Sequence, residues 1–585
     1  MTKPSPNMDI KKIALFLTGM IICASASAEV KTTEINIVET TDVHGNIYSY
    51  DFINRCETTG GLPRAMSFLR EQRSKYGDNC LYVDNGDILQ GQPCAYYYNY
   101  IDTESPHIVS EMLNFMGCVA GNMGNHDVET GHPVYDRWVK QCSHPVLGAN
   151  VVDTATGLPY LRPYCVVERD GVRIAFLGMI TPSIPSWLAE PLWKGLRFED
   201  MEESCRKWVQ FIRKTEKPDV LVGLFHAGQG GNLLNGVVEN ASRLVVERVP
   251  GFDVVLFGHD HQQECCNVKS SDGQETLIAN AGASAQAVAS VTIKVIKDGN
   301  KVIDKEISGE IVNLKEFEPD AEFSSHFAPH YATVENYVSE VIGSIDRTIR
   351  GGDAYFGPCA FIDLIHQLQL SISGAEVSIA APLGFDPVIA QGDIKVSDMF
   401  NLYKFENQLY TMRLTGAEIK GLLEMSYGLW TNQMRSENDH ILALKRVADN
   451  RGDRLTFANA SFNFDSAAGI IYTVDVTKPT GEKISIKSMA DGSPFSLDKE
   501  YLVALNSYRG NGGGDLLTLG AGIPKEQLLG RIVKATDRDL RYYLINYIRE
   551  QKQLKPRALN HWRFVPEKWA EKAVEHDRKL LFKRK

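Results

Sequence analysis

Residues 35–46 read INIVETTDVHGN, and the reading of this stretch decides the fold class. An apolar, β-branched run stops abruptly at Asp42 and His44, whose side chains are hard and borderline metal ligands. The same layout recurs four times. LYVDNGD (81–87) delivers Asp87, CVAGNMGNHD (118–127) delivers Asn125 and His126, VLVGLFHAG (220–228) delivers His226, and VVLFGHDH (254–261) delivers His259 and His261. Open α/β sheets place their sites at strand C-terminal ends, so the five turns are expected to gather in one place. Stretches such as EMLNFMG and SCRKWVQFIRKTEK between the strands have helical patterning, and alternation from about residue 30 to 312 argues an α/β domain.

Oxygen and imidazole ligands without thiolate suit Zn, Mn, Mg or Fe. One shared carboxylate can bridge two such ions about 3.5–4 Å apart, the arrangement used for phosphoryl chemistry. A single histidine of this kind is by default a core or surface residue; five ordered matches reverse that weighting.

In order, Asp-x-His, Gly-Asp, Gly-Asn-His-Asp, His and Gly-His-x-His resemble the motifs of the calcineurin-like metallophosphoesterases. VDNGDILQGQP (83–93), LYKFENQLYTMRLTGAEIKGLLE (402–424) and NSYRGNGGGD (506–515) are similar to the bacterial two-domain nucleotidases, and among them to the 2',3'-cyclic-nucleotide 2'-phosphodiesterase/3'-nucleotidase branch. The resemblance covers about residues 34 to 565. It implies a four-layer αββα sandwich followed by a smaller α+β substrate-binding domain. It also implies two divalent metal ions (Zn, Mn, Mg or similar). One would be held by Asp42, His44 and His261, the other by Asn125, His226 and His259, with Asp87 bridging and a hydroxide between the ions as in-line nucleophile. His126 would stand beside the leaving oxygen as general acid. Glu129 falls where relatives carry a shorter Asp or Asn that orients this histidine, so its side chain must reach differently from the same backbone site. Phe405 and Tyr508 would sandwich a nucleobase, a tolerant mode of recognition. Asp515, in a glycine-rich turn, would contact ribose or base.

One departure separates the branches. The 5'-nucleotidase branch has an arginine-bearing loop after a strand, whereas residues 378–392 here read SIAAPLGFDPVIAQG and contain no Arg. The expected substrates are therefore 2',3'-cyclic and 3'-nucleotides. The rival enzyme reading is a 5'-nucleotidase or nucleotide-sugar hydrolase. From another class, the rival is a secreted nucleotide-binding protein without turnover.

A chain of 585 residues is long enough for several domains. Residues 1–28 carry Lys11 and Lys12, an apolar run and Ala26-Ser27-Ala28, the pattern of a secretory signal, so the protein is expected to be exported to the periplasm or beyond. Lipid attachment at Cys23 is disfavoured by the bulky Ile22 before it. No later apolar run is long enough for a membrane span. The expected division is a catalytic domain to 312, a linker over 313–345 closing in a helix with Val334, Tyr337, Val338, Val341 and Ile342 on one face, a substrate-binding domain over 346–555, and a tail over 556–585 packing back through its two Trp residues. The remaining cysteines avoid the metal motifs and read mainly as small buried hydrophobes. A net charge of -11 argues against tight binding of duplex nucleic acid, which needs phosphate neutralisation, and leaves small nucleotides as the partners. Oligomeric state is not encoded in any motif.

Overall fold

A computed structural model describes residues 30–582, apart from 232, 235, 450 and 451; the signal segment and Cys23 lie outside the described residues. Two six-stranded mixed sheets face each other in the first domain. The first runs, edge to edge, Lys301–Asn313, Ala287–Asp298, Val30–Thr40, Cys80–Asp84, Cys118–Asn122 and Val146–Leu147. The second runs Gln263–Lys269, Glu275–Ala281, Val254–Phe257, Val220–His226, Val172–Ile180 and Tyr164–Arg169. Alternate side chains of the central strands fill the space between the sheets: Ile35, Ile37, Leu81 and Val83 pack with Phe176, Val222, Leu224 and Leu256.

Each outer sheet face is covered by helices, which is why these strands are apolar on both faces. Helices Leu62–Tyr76 and Ile108–Phe115 cover the first sheet, and Met201–Thr215 and Ser242–Arg248 cover the second. Layers of helix, sheet, sheet and helix result, as the resemblance implied.

Strand Val30–Thr40 pairs in parallel with Cys80–Asp84, which pairs in parallel with Cys118–Asn122. Val220–His226 is likewise parallel to its neighbours Val254–Phe257 and Val172–Ile180. The candidate ligands therefore emerge from consecutive strand ends of the two sheets.

The expected linker is corrected by the structure in two ways. Helices Ala321–His326 and Ala328–Ser339 belong to the core of the first domain, with Phe323, Phe327, Val334 and Val338 buried beside Tyr48 and Met116. The helix ends at Ser339, and Val341–Ile345 is a strand between Gly392–Lys395 and Gln553–Leu554. Val341 and Ile342 suit either pattern. Gly343 decides it, because a Cβ there would press on Ile548 and on the Lys552 carbonyl, so this backbone lies close against the helix Leu540–Gln551.

The second domain holds a five-stranded sheet ordered Ser466–Ala468, Val377–Ala380, Glu500–Asn506, Gln408–Thr415 and Ile532–Asp539. Its helix Gly416–Trp430 begins in a capping box: Thr415 Oγ1 accepts from Glu418 N at 3.2 Å and Glu418 Oε2 accepts from Thr415 N at 2.7 Å. The tail is an integral part of this domain. Strand Trp562–Val565 pairs in parallel with Ile470–Asp475, Trp562 is buried, and helix Glu567–Phe582 follows. All ten cysteines among the described residues are free thiols. Among the described residues no helix is long and apolar enough to cross a membrane.

Candidate active site

Five of the seven candidate ligands sit in left-handed backbone: Asp42 (φ 50°), His44 (φ 48°), Asp87 (φ 56°), His259 (φ 76°) and His261 (φ 57°). Such conformations cost of order 1–3 kcal/mol each for non-glycine residues and cluster where function requires them. The sharp reversal turns each side chain back over the end of its own strand. Glycines permit the close approach: a Cβ on Gly124 would collide with Asp87 Oδ1, and one on Gly258 with Thr41 and Asp42.

The side chains converge in two groups, Asp42 with His44 and His261, and Asp87 with His226 and His259. In the first, His261 Nε2 lies 3.3 Å from Asp42 Oδ1 and 3.1 Å from His44 Nε2. In the second, His226 Nε2 lies 3.0 Å from Asp87 Oδ2, and Asn125 Oδ1 is 2.8 Å from His259 Nδ1. His226 Nε2 is also 3.9 Å from Asp42 Oδ1, which joins the groups.

Burial opposes charge on His226, yet the carboxylates of Asp87 and Asp42 raise its pKa to about 10. Without other cations, the imidazoles must answer two buried carboxylates.

Divalent cations fit this arrangement. Asp87 Oδ2 and His226 Nε2 are fully buried and face each other at 3.0 Å, with no other hydrogen-bond partner for either atom. Two imidazole Nε2 atoms, of His44 and His261, point at one another. His226 is set up as a neutral ligand, because its Nδ1–H donates to the Asn85 carbonyl at 2.7 Å and leaves Nε2 with a lone pair.

His126 stands beside the cluster, its ring 5.3 Å from that of His44, and its backbone N–H donates to Asp87 Oδ1 at 2.7 Å. Glu129 does reach it: Oε2 accepts from His126 Nδ1 at 2.5 Å, one helical turn away, and the glutamate is buried. Burial disfavours the imidazolium, but Asp87 and then Glu129 outweigh it and raise His126 to about 9.

Sequence reasoning overlooked Asp127, the fourth letter of GNHD. Its buried carboxylate accepts from the backbone N–H groups of Asp87, Ile88, Leu89 and Gly124 at 2.8–3.0 Å, fixing two ligand-bearing turns to each other. The motif itself was the available signal. Below it, Asn122 donates to Asn85 Oδ1 and Asn85 to Glu39 within the first sheet, and Asn122 also donates to the carbonyls of Met179 and Leu224, a buried polar bridge to the second sheet.

A cavity of about 230 Å³ opens from this cluster into the second domain. Asn125, His126, Glu129 and His259 form one wall, and Phe405, Tyr508 and Phe462 line the other. Tyr508 is braced by the edge of Phe462, with ring centroids 6.0 Å apart, and by the Arg509 guanidinium 5.5 Å from its ring. Buried Arg509 in turn pairs with Asp465 at 2.7 Å. Trp187, Leu383 and Phe462 had no motif to announce them. Asp515 is a correction: it does not line this cavity, and its Oδ1 accepts from Thr518 Oγ1 at 3.1 Å, which closes its own turn.

Two packed sheets with paired His/Asp/Asn clusters at their strand ends define a metal-dependent hydrolase of phosphoric esters. The family comparisons agree domain by domain. The calcineurin-like phosphoesterase family model matches residues 35–263, and the 5'-nucleotidase C-terminal domain matches residues 341–520. The chain therefore carries a calcineurin-like phosphoesterase domain followed by a 5'-nucleotidase C-terminal domain. It is 26% identical, over 91% of its length and 88% of the relative's, to a 2',3'-cyclic-nucleotide 2'-phosphodiesterase/3'-nucleotidase of Haemophilus influenzae. It is 27% identical over 95% of its length to the trifunctional nucleotide phosphoesterase protein YfkN of Bacillus subtilis, of which it spans 40%. A candidate 5'-nucleotidase from Staphylococcus aureus, solved with α-ketoglutarate, superposes with a TM-score of 0.73 over 91% of this chain and 100% of that one, at 21% identity, and so shares the fold.

Proposed function

We propose that this protein opens 2',3'-cyclic nucleotides at the 2' oxygen and then removes the 3' phosphate. The observation that carries the reading is the shared cavity: His126 and the ligand cluster on one side, two aromatic residues from the other domain on the opposite side. Divalent ions held by Asp42, His44, His261, Asp87, Asn125, His226 and His259 would supply a nucleophile at neutral pH and neutralise the phosphoryl oxygens.

The chain's own groups do the rest. Phe405 and Tyr508 present ring faces to a nucleobase, a contact worth about 1–3 kcal/mol per base. Glu129 holds the proton of His126 on Nδ1, so Nε2 is the atom that delivers a proton to the leaving oxygen. Ring opening and removal of the 3' phosphate differ only in which ribose oxygen leaves, so one histidine serves both.

Specificity follows from the residues that line the cavity. Its described lining contains no Arg, Lys404 standing beside Phe405 on the adjoining face, and the loop after strand Val377–Ala380 contributes Leu383 to it and no guanidinium to grip a 5' phosphate. Similarity to the Haemophilus influenzae protein supports the same reading.

The test is phosphate release and ring opening with 2',3'-cyclic AMP, 3'-AMP and 5'-AMP, each with and without chelator. Chelator-sensitive turnover of the first two is expected. Faster cleavage of 5'-AMP would assign the chain to the 5'-nucleotidases, and no turnover with metals bound would make it a binding protein.

A further inference from the structure

The terminal helix Glu567–Phe582 lies against the segment that ends at His440. Asp577 on that helix is completely buried. One of its oxygens, Oδ2, accepts from the backbone N–H groups of Ile441 and Leu442 at 3.0 and 3.1 Å. The other, Oδ1, receives two histidines: His440 Nδ1 at 2.5 Å and His576 Nδ1 at 3.3 Å. The two rings are stacked, centroids 5.0 Å apart and planes 24° from parallel, with both Nδ1 atoms within 3.3 Å of the same oxygen.

We propose that His440, His576 and Asp577 form a separate divalent-cation site, suited to Zn²⁺, that fastens the terminal helix to the second domain. The ligand atoms of the three residues lie within 4.8 Å of one another. Zinc binds imidazole nitrogen and carboxylate oxygen at about 2.0–2.2 Å, so tetrahedral ligand atoms sit roughly 3.3 Å apart. His576 and Asp577 already have that spacing. His440 needs to withdraw by less than about 1 Å on that arithmetic, and its side chain is 36% exposed and free to do so. Two imidazoles and one carboxylate with a position open to water favour Zn²⁺, Co²⁺ or Ni²⁺ over Mg²⁺ or Ca²⁺, which take all-oxygen sets.

The placement gives the site a purpose. Lys572 on the same helix bridges Glu437 and Asn438 of the facing segment at 2.8 Å, so the helix is already docked when the ion arrives. Farther along, Phe582 stacks on Phe385 at 4.9 Å. Phe385 is two residues from Leu383, which lines the aromatic cavity. An ion at Asp577 therefore steadies a helix that backs the loop bordering that cavity.

The experiment compares the full chain with two variants, His576→Ala and His440→Asn, each loaded with Zn²⁺, freed of excess by gel filtration and analysed for metal per chain. His576 is 60% exposed, so its truncation leaves the core intact, and asparagine at 440 keeps a donor for Asp577. Each variant is expected to hold one equivalent fewer than the wild type and to lose part of the rise in Tm that Zn²⁺ gives. Because the reading is a difference, it does not depend on how many ions the nucleotide site binds. Equal metal content and equal Zn²⁺ response in wild type and both variants would overturn the proposal.

Discussion

At the scale of single residues, the proposed function divides the site into groups that hold ions, a group that moves a proton, and groups that hold these in place. It gives His126 the second part, since its Nδ1 is occupied by Glu129 and its main chain by Asp87. Replacing His126 with Ala should lower kcat by about 10²–10⁴-fold, the usual contribution of general acid catalysis, while metal content stays at the wild-type level. Loss of metal in that variant would instead make His126 a ligand. Asp127 belongs to the third kind. Asparagine there keeps one acceptor but turns an N–H₂ toward backbone donors, which leaves polar groups unpaired at about 1–3 kcal/mol each. The expected result for Asp127→Asn is a lower Tm and metal retention weakened roughly 10–100-fold, as for other residues that orient ligands. Titration with a competing chelator measures it. Unchanged metal affinity would show that the Asp87 and Gly124 turns hold their shape without this carboxylate.

At the scale of elements, the segment that carries Phe405 is anchored by an arginine from a distant helix. Arg541, on Leu540–Gln551, is completely buried and donates to the carbonyls of Tyr403 at 3.2 Å and Lys404 at 2.8 Å, the two residues just before Phe405. Its guanidinium lies 4.0 Å from the ring of Phe400 and 4.8 Å from that of Tyr96, which comes from the first domain. Glu406 completes the group, 3.7 Å from Arg541 and accepting from Tyr100 at 3.1 Å. Arg541→Met should raise KM for nucleotide more than it lowers kcat, and should cost about 1–3 kcal/mol for each of the carbonyls, of Tyr403 and Lys404, left without its donor. Pairing it with Glu406→Gln should recover little of the stability or the KM, since the carbonyl anchors of Phe405 remain lost. Recovery of both would mean that Arg541 acts through charge alone.

The same scale explains what was legible. The gathering of the candidate ligands at strand ends was readable because each follows an apolar run and the pattern repeats five times. The reach of Glu129 to His126 was not, because it depends on one helical turn, Asn125–Glu129, that is too short to announce itself. Val341 and Ile342 fit helix and strand spacing equally, and only the tight packing at Gly343 selects the strand. Trp187 and Phe462 enter the cavity from single helical turns, Ile184–Trp187 and Ser461–Asn463, too short to show a periodicity, and Asp515 misses it because a glycine-rich turn can point its side chain in several directions.

At the scale of the whole molecule, the two domains share packing that is neither purely one nor the other. Tyr96 of the first domain is buried among Ile342, Phe361, Phe400 and Leu544 of the second, and Ala189 lies in the core built around Tyr427 and Trp430. Tyr96 also donates to Asp539 at 3.4 Å, and Asn511 to the Trp187 carbonyl at 3.4 Å. The proposed metal ligands of the active site all belong to the first domain, and a ligand that binds only the folded chain stabilises it by RT ln(1 + [L]/Kd), about 2.7 kcal/mol at a hundredfold excess over Kd. If the shared packing couples the domains, that free energy belongs to the whole chain and not to one half. Calorimetry with and without chelator is therefore expected to show a single transition that moves to lower temperature as metal is removed, together with loss of activity that returned Mn²⁺ or Zn²⁺ restores. Two transitions, of which one ignores the chelator, would show that the domains unfold independently. The cavity between His126 and Tyr508 would then be assembled by substrate rather than by the protein alone, and saturating nucleoside should draw the two transitions together.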